Sequence, residues 1–334
     1  MFEQRGFSSS ISRLADRIVV RSSLRKARRT SGFVSEPEPR SIGNVSRGEQ
    51  LLEGHFRFAG HLVEAPDASI WSLKSPSNRF DLELFGFGWL DDLAAVGDGA
   101  ACALGQRWFH EWLATYGRGK GAGWAPQIAG RRVLRLIHHS AFLQHGMSAH
   151  NKQLFLQTLA HHASFLAVRA HKAPAGLPRF EALTGLICAS TLLVGFDDFI
   201  DAASRRLAHE CRTQIDQNGA IQSRNPEGLL EIFRLLNWNA SNIADAGRGL
   251  SKEHRTAIER SAPTLRTLRH VDGGLARFHG GGRGGDGQLD LALAQARVRA
   301  APLPHFAMGF ARLSAGRTSV IIDAAEPLCG LRWV

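Results

Sequence analysis

The chain has 334 residues, 44% hydrophobic and 21% charged, with a formal net charge of +11. That length holds one large domain or two ordinary ones around a sizeable core, and no run approaches the ~20 apolar residues that a membrane-crossing helix requires. The cysteines, Cys102, Cys188, Cys211 and Cys329, stand far apart with no C-x-x-C spacing, so neither a zinc site nor a disulfide framework is signalled and the thiols read as reduced.

The positive charge is concentrated at the start. Residues 1–30 carry eight basic and two acidic side chains. Arg13, Arg17, Arg21 and Arg25 recur every four residues and make one positive stripe on a helix, with Ile11, Leu14, Ile18 and Leu24 around the opposite side. The segment reads as a flexible, solvated arm. Peripheral membrane contact is its functional alternative, and nucleic acid is disfavoured. No secretory signal is evident, since no apolar stretch of sufficient length follows the first positive charges, which by sequence points to the cytoplasm. "SEPEPR" and "SIGN" within residues 30–50 read as linker, so residues 1–50 form the expected arm and linker. "GHFRFAGHLVEAPDASIWSL", Gly54 to Leu73, has strand-like alternation at Phe56 and Phe58, then Trp71 and Leu73.

From Phe80 apolar residues recur at intervals of three and four, which predicts amphipathic helices over 80–96, 100–116, 127–145, 150–171, 178–195, 197–216, 226–238 and 251–269. The breakers "YGRGKGAG", "HGMS" and "KAPAGLP" separate them. Helices of similar length with short links make helical hairpins, in a bundle, a solenoid or a closed ring. The absence of a fixed sequence period disfavours a regular solenoid. After His270 the character changes: "VDGGLARFHGGGRGGDG" is a glycine-rich crossing, and a β-hairpin is predicted from Phe306 to Leu313, through Ser314-Ala315-Gly316, to Thr318–Asp323. Residues 51–270 are therefore expected to form a helical domain and residues 271–334 the incomplete beginning of a β-rich one.

Two loops attract chemistry. In Gln214 to Leu236, Asn218-Gly219 is a turn signal and Asn225-Pro226 reads as N-cap followed by proline at the first helical position. Between them Gln222, Ser223, Arg224 and Asn225 place hydrogen-bonding groups beside the positive end of a helix dipole, a setting that suits an anion as well as it suits plain capping. The second loop holds His279, Arg283 and Asp286, with Gly280 to Gly282 allowing close approach of a ligand, or serving simply as a linker. The pairs His138-His139 and His161-His162 lack the i, i+4 spacing of a metal site. "HGGG" at 279–282 matches the oxyanion loop of esterases, but no G-x-S-x-G supplies a nucleophile, and no G-K-[ST] ending marks a phosphate loop. No metal and no cofactor is predicted.

The ordered run "FRFAGHLVEAPDASIWSL", "FDLELFGFGWLDDLAAVGD", "WAPQIAGRRVLRLIHH", "QIDQNGAIQSRNPEGLLEIFRLL", "RHVDGGLARFHGGG" and "GFARLSAGRTSVIIDAAEP" resembles the heparinase II/III-like family of bacterial polysaccharide lyases over roughly residues 55–325. The resemblance implies a mainly α fold, an incomplete α/α toroid of helical hairpins followed by the start of an antiparallel β-sandwich, with a C-terminal truncation. It also implies an acidic, uronic-acid-containing polysaccharide such as a glycosaminoglycan or alginate as partner, a place in the cell envelope or periplasm, and a carbon–oxygen lyase acting by β-elimination. In such a reaction Asn or His neutralises the uronate and Tyr or His moves the C5 proton. Where active relatives carry an Asn-His pair this chain has Arg179-Phe180, and where they carry Tyr it has Gly228. His279 and Asn225 are then the candidate catalytic residues, and Arg179, Gln222, Arg224, Arg283 and Trp89 the candidate substrate-binding ones. The alternatives are a degraded relative that binds polysaccharide without cleaving it, or a non-catalytic helical protein tethered to anionic surfaces by its basic arm.

Overall fold

The structure is a computed structural model that describes residues 10–26, 30–299, 301–316 and 318–325, the side chains of residues 10–12, 24–26 and 122 excepted. It divides into two compact units, residues 1–174 with 178–204, and residues 175–177 with 205–334.

In the first unit α1 (Ser10–Lys26) and α2 (Val45–Leu52) precede a two-stranded hairpin of β1 (His55–Phe58) and β2 (His61–Glu64). The helices α3 (Asn78–Phe85), α4 (Gly88–Val96), α5 (Gly99–Tyr116), α6 (Pro126–His138), α7 (Ser140–Gln144), α8 (Ala149–Arg169) and α9 (Leu177–Leu192) follow. The core is aromatic. Trp89, Trp108, Trp112 and Trp124 are all but fully buried, with Trp89 edge-on to Trp108 at 5.2 Å and Phe87 edge-on to Trp112 at 5.6 Å. Large rings in such arrangements supply most of the apolar area a core needs.

Three sequence expectations need amendment here. The helix expected over 80–96 breaks at Gly86 and Phe87, where Phe87 takes the left-handed conformation with φ 61°. The break frees backbone acceptors, and arginines of α6 take them up: Arg132 donates to the Phe85 carbonyl at 2.9 Å and Arg135 to that of Gly86 at 3.3 Å. The helix expected over 127–145 is interrupted at His139, whose Nε2 lies 2.8 Å from Asp91. In the stretch read as linker, Asn44 caps α2 by accepting from Arg47 N–H at 3.0 Å, while its own N–H donates to Asp92 at 2.8 Å.

The second unit contains most of α10 (Ile200–Gln214) together with α11 (Pro226–Asp245), α12 (Lys252–Thr267) and α13 (Gln288–Ala296), then a three-stranded antiparallel sheet of β3 (Phe306–Ala307), β4 (Phe310–Ala315) and β5 (Thr318–Asp323) in the order β3-β4-β5. The β4–β5 hairpin lies where alternation predicts it, pairing Phe310 with Asp323 and Ala315 with Thr318. Arg312 of β4 fastens it to α12, donating to the Thr267 carbonyl at 2.7 Å and to that of Arg269. Helix α11 runs past the expected end at 238 to Asp245, since Ile243 continues its buried stripe.

Candidate functional site

The link from α10 to α11 is a folded turn. The Asp216 carboxylate accepts from the N–H groups of Asn218 at 2.8 Å and Ala220 at 2.9 Å. Gly219 has φ 73°, and a Cβ there would lie 2.1 Å from the Arg260 carbonyl oxygen. The chain then turns through Arg224, with φ 51°, into the N-cap. Asn225 Oδ1 accepts from Gly228 N–H at 2.9 Å and Pro226 occupies the first turn.

The glycine-rich loop comes to meet this cap. Asn225 Nδ2 donates to the His279 carbonyl at 3.3 Å, and Gly282 N–H donates to the Glu227 carboxylate at 2.6 Å. A Cβ on Gly281 would sit 2.3 Å from Asn225 Oδ1. Glycine is therefore what lets the two loops close on each other.

The hairpin completes the cluster. Arg224 donates from Nε to the Met308 carbonyl at 3.1 Å and from Nη2 to that of Gly309 at 3.2 Å. Its guanidinium stands 4.7 Å from the centre of the Phe310 ring and forms a short ion pair with Asp323. The other Asp323 oxygen lies 3.3 Å from His279 Nε2, and Phe278 stacks on Phe310 at 4.4 Å. Partial burial works to raise the Asp323 carboxyl, but the hydrogen bonds from Arg224 and from Ala325 N–H, with the Arg224 and His279 charges, hold it below the ordinary carboxylate value.

The carboxylate bound by Arg224 is thus the protein's own. An incoming uronate would have to displace Asp323 or be repelled by it, and the Asn225 amide is engaged at both ends. Gln222 and Ser223 are exposed on the same loop. Arg283 stands apart from the cluster, 3.8 Å from Asp272 and 3.6 Å from Asp286, and lines an open cavity of about 370 Å³ with Arg269, Asp290 and the glycine backbone.

The remaining sequence candidates belong to the first unit. Arg179 sits at the start of α9 and donates to the Ala173 carbonyl at 2.9 Å. Trp89 is fully buried and donates to the Leu84 carbonyl at 3.2 Å, which corrects its assignment as a substrate-binding residue, because neither ring face is open. Tyr116, the single tyrosine of the sequence, packs edge-on to Phe85 at 5.2 Å, and burial, aided by Asp81, pushes its phenol up. Three members of the cluster escaped sequence reasoning: Asp323, Phe310 and Glu227. Asp323 carried a usable signal, being an acid that ends the β-branched run of β5 in a sequence with 41 basic against 30 acidic side chains.

No protein-family model matches the chain. It is 29% identical over 315 residues to FtsZ-localized protein C of Caulobacter vibrioides, covering 90% of this chain and 52% of that protein. Among solved structures, heparan sulfate lyase HepC from Pedobacter heparinus superposes with a TM-score of 0.54 at 16% identity, covering 95% of this chain and 57% of the other. Heparinase III superposes with a TM-score of 0.56 at 12% identity, covering 78% and 44%. The fold is heparinase-like. It is the mainly helical α/α-toroid class followed by a small antiparallel sheet, as the sequence resemblance implied. This heparinase-like chain spans about half the length of the curated relative it matches, 52%.

Proposed function

We propose that this protein uses a polysaccharide-lyase scaffold to bind an acidic polysaccharide without cleaving it. The observation that supports this reading is the Arg224–Asp323–His279 cluster. β-Elimination needs a positive or hydrogen-bonding group to neutralise a uronate and a base free to reach the C5 proton. Here the arginine already neutralises Asp323, and His279 shares the same carboxylate. Gly228, at the position where the resemblance expects tyrosine, offers no side chain for proton transfer.

Binding falls instead to the open cavity that Arg283 and Arg269 line. Arg269 is paired with Asp290 at 2.8 Å, but Arg283 holds only the longer pairs to the exposed Asp272 and Asp286, at 3.8 and 3.6 Å, which a ligand anion displaces more readily than the closer, less exposed contacts of Arg224. The guanidinium forks of Arg283 and Arg269 suit sulfate and carboxylate groups, and the glycine backbone between them offers further donors. The full chain is expected to be retained on immobilised heparan sulfate or alginate at low salt, with Arg283→Ala weakening retention about threefold to tenfold, as loss of one charge-assisted hydrogen bond implies. Equal retention of the variant, or none by the wild type, would remove this reading.

A second reading rests on the 90% coverage of this chain by the match to FtsZ-localized protein C. In it, the chain is a division-site protein that has kept the lyase scaffold for protein recognition. Co-sedimentation with FtsZ filaments tests it, and filaments that leave the chain in the supernatant would count against it.

A further inference from the structure

Asp323 is held as a ligand would be held. One of its oxygens forms the ion pair with Arg224 and the other lies 3.3 Å from His279 Nε2, so a single carboxylate spans both side chains. The Arg224 guanidinium rests against the Phe310 ring, which is itself stacked on Phe278 at 4.4 Å. A Cβ on Gly309 would lie 2.7 Å from Arg224 Nε, so the seat is shaped to the arginine. The backbone around it is strained. Arg224, His279 and Met308 have φ of 51°, 50° and 52°, the left-handed region that residues bearing a Cβ seldom adopt. Three such residues gathered around one carboxylate are the pattern of a ligand clamp or a switch rather than of plain packing.

Asp323 is also placed to leave. It is the last residue of β5, paired with Phe310, and its side chain is 39% exposed against 18% for Arg224. The hairpin is anchored elsewhere along its length: Ser319 Oγ lies 3.0 Å from His270 Nδ1, and Arg312 reaches the Thr267 carbonyl. Fraying the end of β5 breaks the Asp323 contacts and the 3.0 Å bond from Ala324 N–H to the Gly309 carbonyl, while the hairpin stays on α12.

We infer that Asp323 is an autoinhibitory latch, an internal stand-in that fills a carboxylate seat made by Arg224, His279 and Phe310 and gives way to the carboxylate of an external acidic ligand. The occupant indicates the ligand: a planar carboxylate on a larger body, as on a uronic-acid sugar, a class that rests on the polysaccharide reading above. The site is separate from the Arg283 cavity, and binding here is an exchange. The latch weakens apparent affinity in proportion to how seldom Asp323 is unseated. Its release opens a binding site and supplies no elimination, since Gly228 has no side chain to move a proton.

Ligand-observed NMR titration of the full chain with D-glucuronate, and with D-glucose as the neutral control, tests the latch in an Arg283→Ala background that disables the cavity. Asp323→Asn and Asp323→Ala should each bind glucuronate about fivefold or more tightly than the Asp323 parent, with no response to glucose. Adding Arg224→Gln should abolish the gain, and circular dichroism verifies that each variant folds. In the Asp323 parent, saturating glucuronate should speed hydrogen exchange at the Ala324 amide and leave α11 and α12 unchanged. No gain in either variant, a gain that persists with Arg224→Gln, or an Ala324 amide indifferent to glucuronate would overturn the latch and leave the Arg224–Asp323 pair a structural contact. The cavity reading fails on polysaccharide retention and the latch on glucuronate exchange, so the two failures are told apart.

Discussion

Arg132 shows what a single residue can hide from a sequence. It is fully buried, donates from Nε to His162 Nε2 at 2.9 Å and from Nη1 to the Phe85 and Gly123 carbonyls, each at 2.9 Å. Its guanidinium lies 4.3 Å from the Trp112 ring centre. Burial pulls its pKa down to about 9. His162 can accept from Arg132 because its Nδ1, 2.7 Å from the Thr158 carbonyl, carries the proton there. An arginine in the run "GRRVLRLIHH" reads as a surface charge, since arginine is almost never fully buried unless its donors are met. Lysine keeps the charge but has neither the planar fork nor the stacking face. Arg132→Lys is therefore expected to destabilise the first unit by about 3 kcal/mol, measured by urea denaturation, the range for stranding a buried charged group. At the same scale, the cap formed by Asn225 was fully legible, because Asn-Pro before an apolar run has a local mechanism. The engagement of Asn225 with His279 was not, because 54 residues separate the two.

Helices declared themselves through their periodicity, and the hairpin through its alternation. What periodicity could not convey is where one helix gives way to the next when tertiary contacts pay for the break. The arginines of α6 that donate to the freed carbonyls of Phe85 and Gly86 lie 47 and 49 residues downstream of them. Contacts between helices were equally hidden. A Cβ on Gly185 of α9 would lie 2.6 Å from Cα of Gly130 in α6, and a Cβ on Gly130 would lie 2.4 Å from the Glu181 carbonyl oxygen. Neither neighbour is a flexible side chain that can swing away. Gly130→Ala and Gly185→Ala should each cost about 1–3 kcal/mol, against the small gain that alanine brings to a helix interior; thermal melting reads the sign directly. For the hairpin, Asp323→Ala removes the ion pair with Arg224 at a site that is 39% exposed. Solvent screening limits the global loss to about 1 kcal/mol or less, so the sensitive readout is local. Amide hydrogen exchange in β4 and β5 should speed up while α11 and α12 stay protected.

Across the whole molecule, buried neutral histidines make acid the main threat. Burial lowers His161 and His254 to about 4 and His138 to about 3, each below the unfolded value of ~6.5. Between that value and the folded one the unfolded chain binds protons that the folded chain refuses. Stability is then complete above about pH 6.5 and falls as pH drops toward 4, by up to ~1.4 kcal/mol per pH unit for each histidine. Asp91, held low by Arg135 and His139 against its burial, is lost in the same direction at still lower pH. Urea midpoints across pH 4 to 7 check the slope. At this scale the fold class was readable from the order of helical hairpins and strands, and a heparinase-like architecture bears it out. Activity was not readable, because it turns on whether Arg224 meets a ligand or an internal carboxylate. The most direct measurement follows the ultraviolet absorbance of unsaturated uronate while the full chain is incubated with heparan sulfate, alginate and other uronate polysaccharides. The closed Arg224–Asp323–His279 cluster predicts no rise above the protein-free control, whereas a rise proportional to protein concentration and abolished by His279→Ala would contradict it.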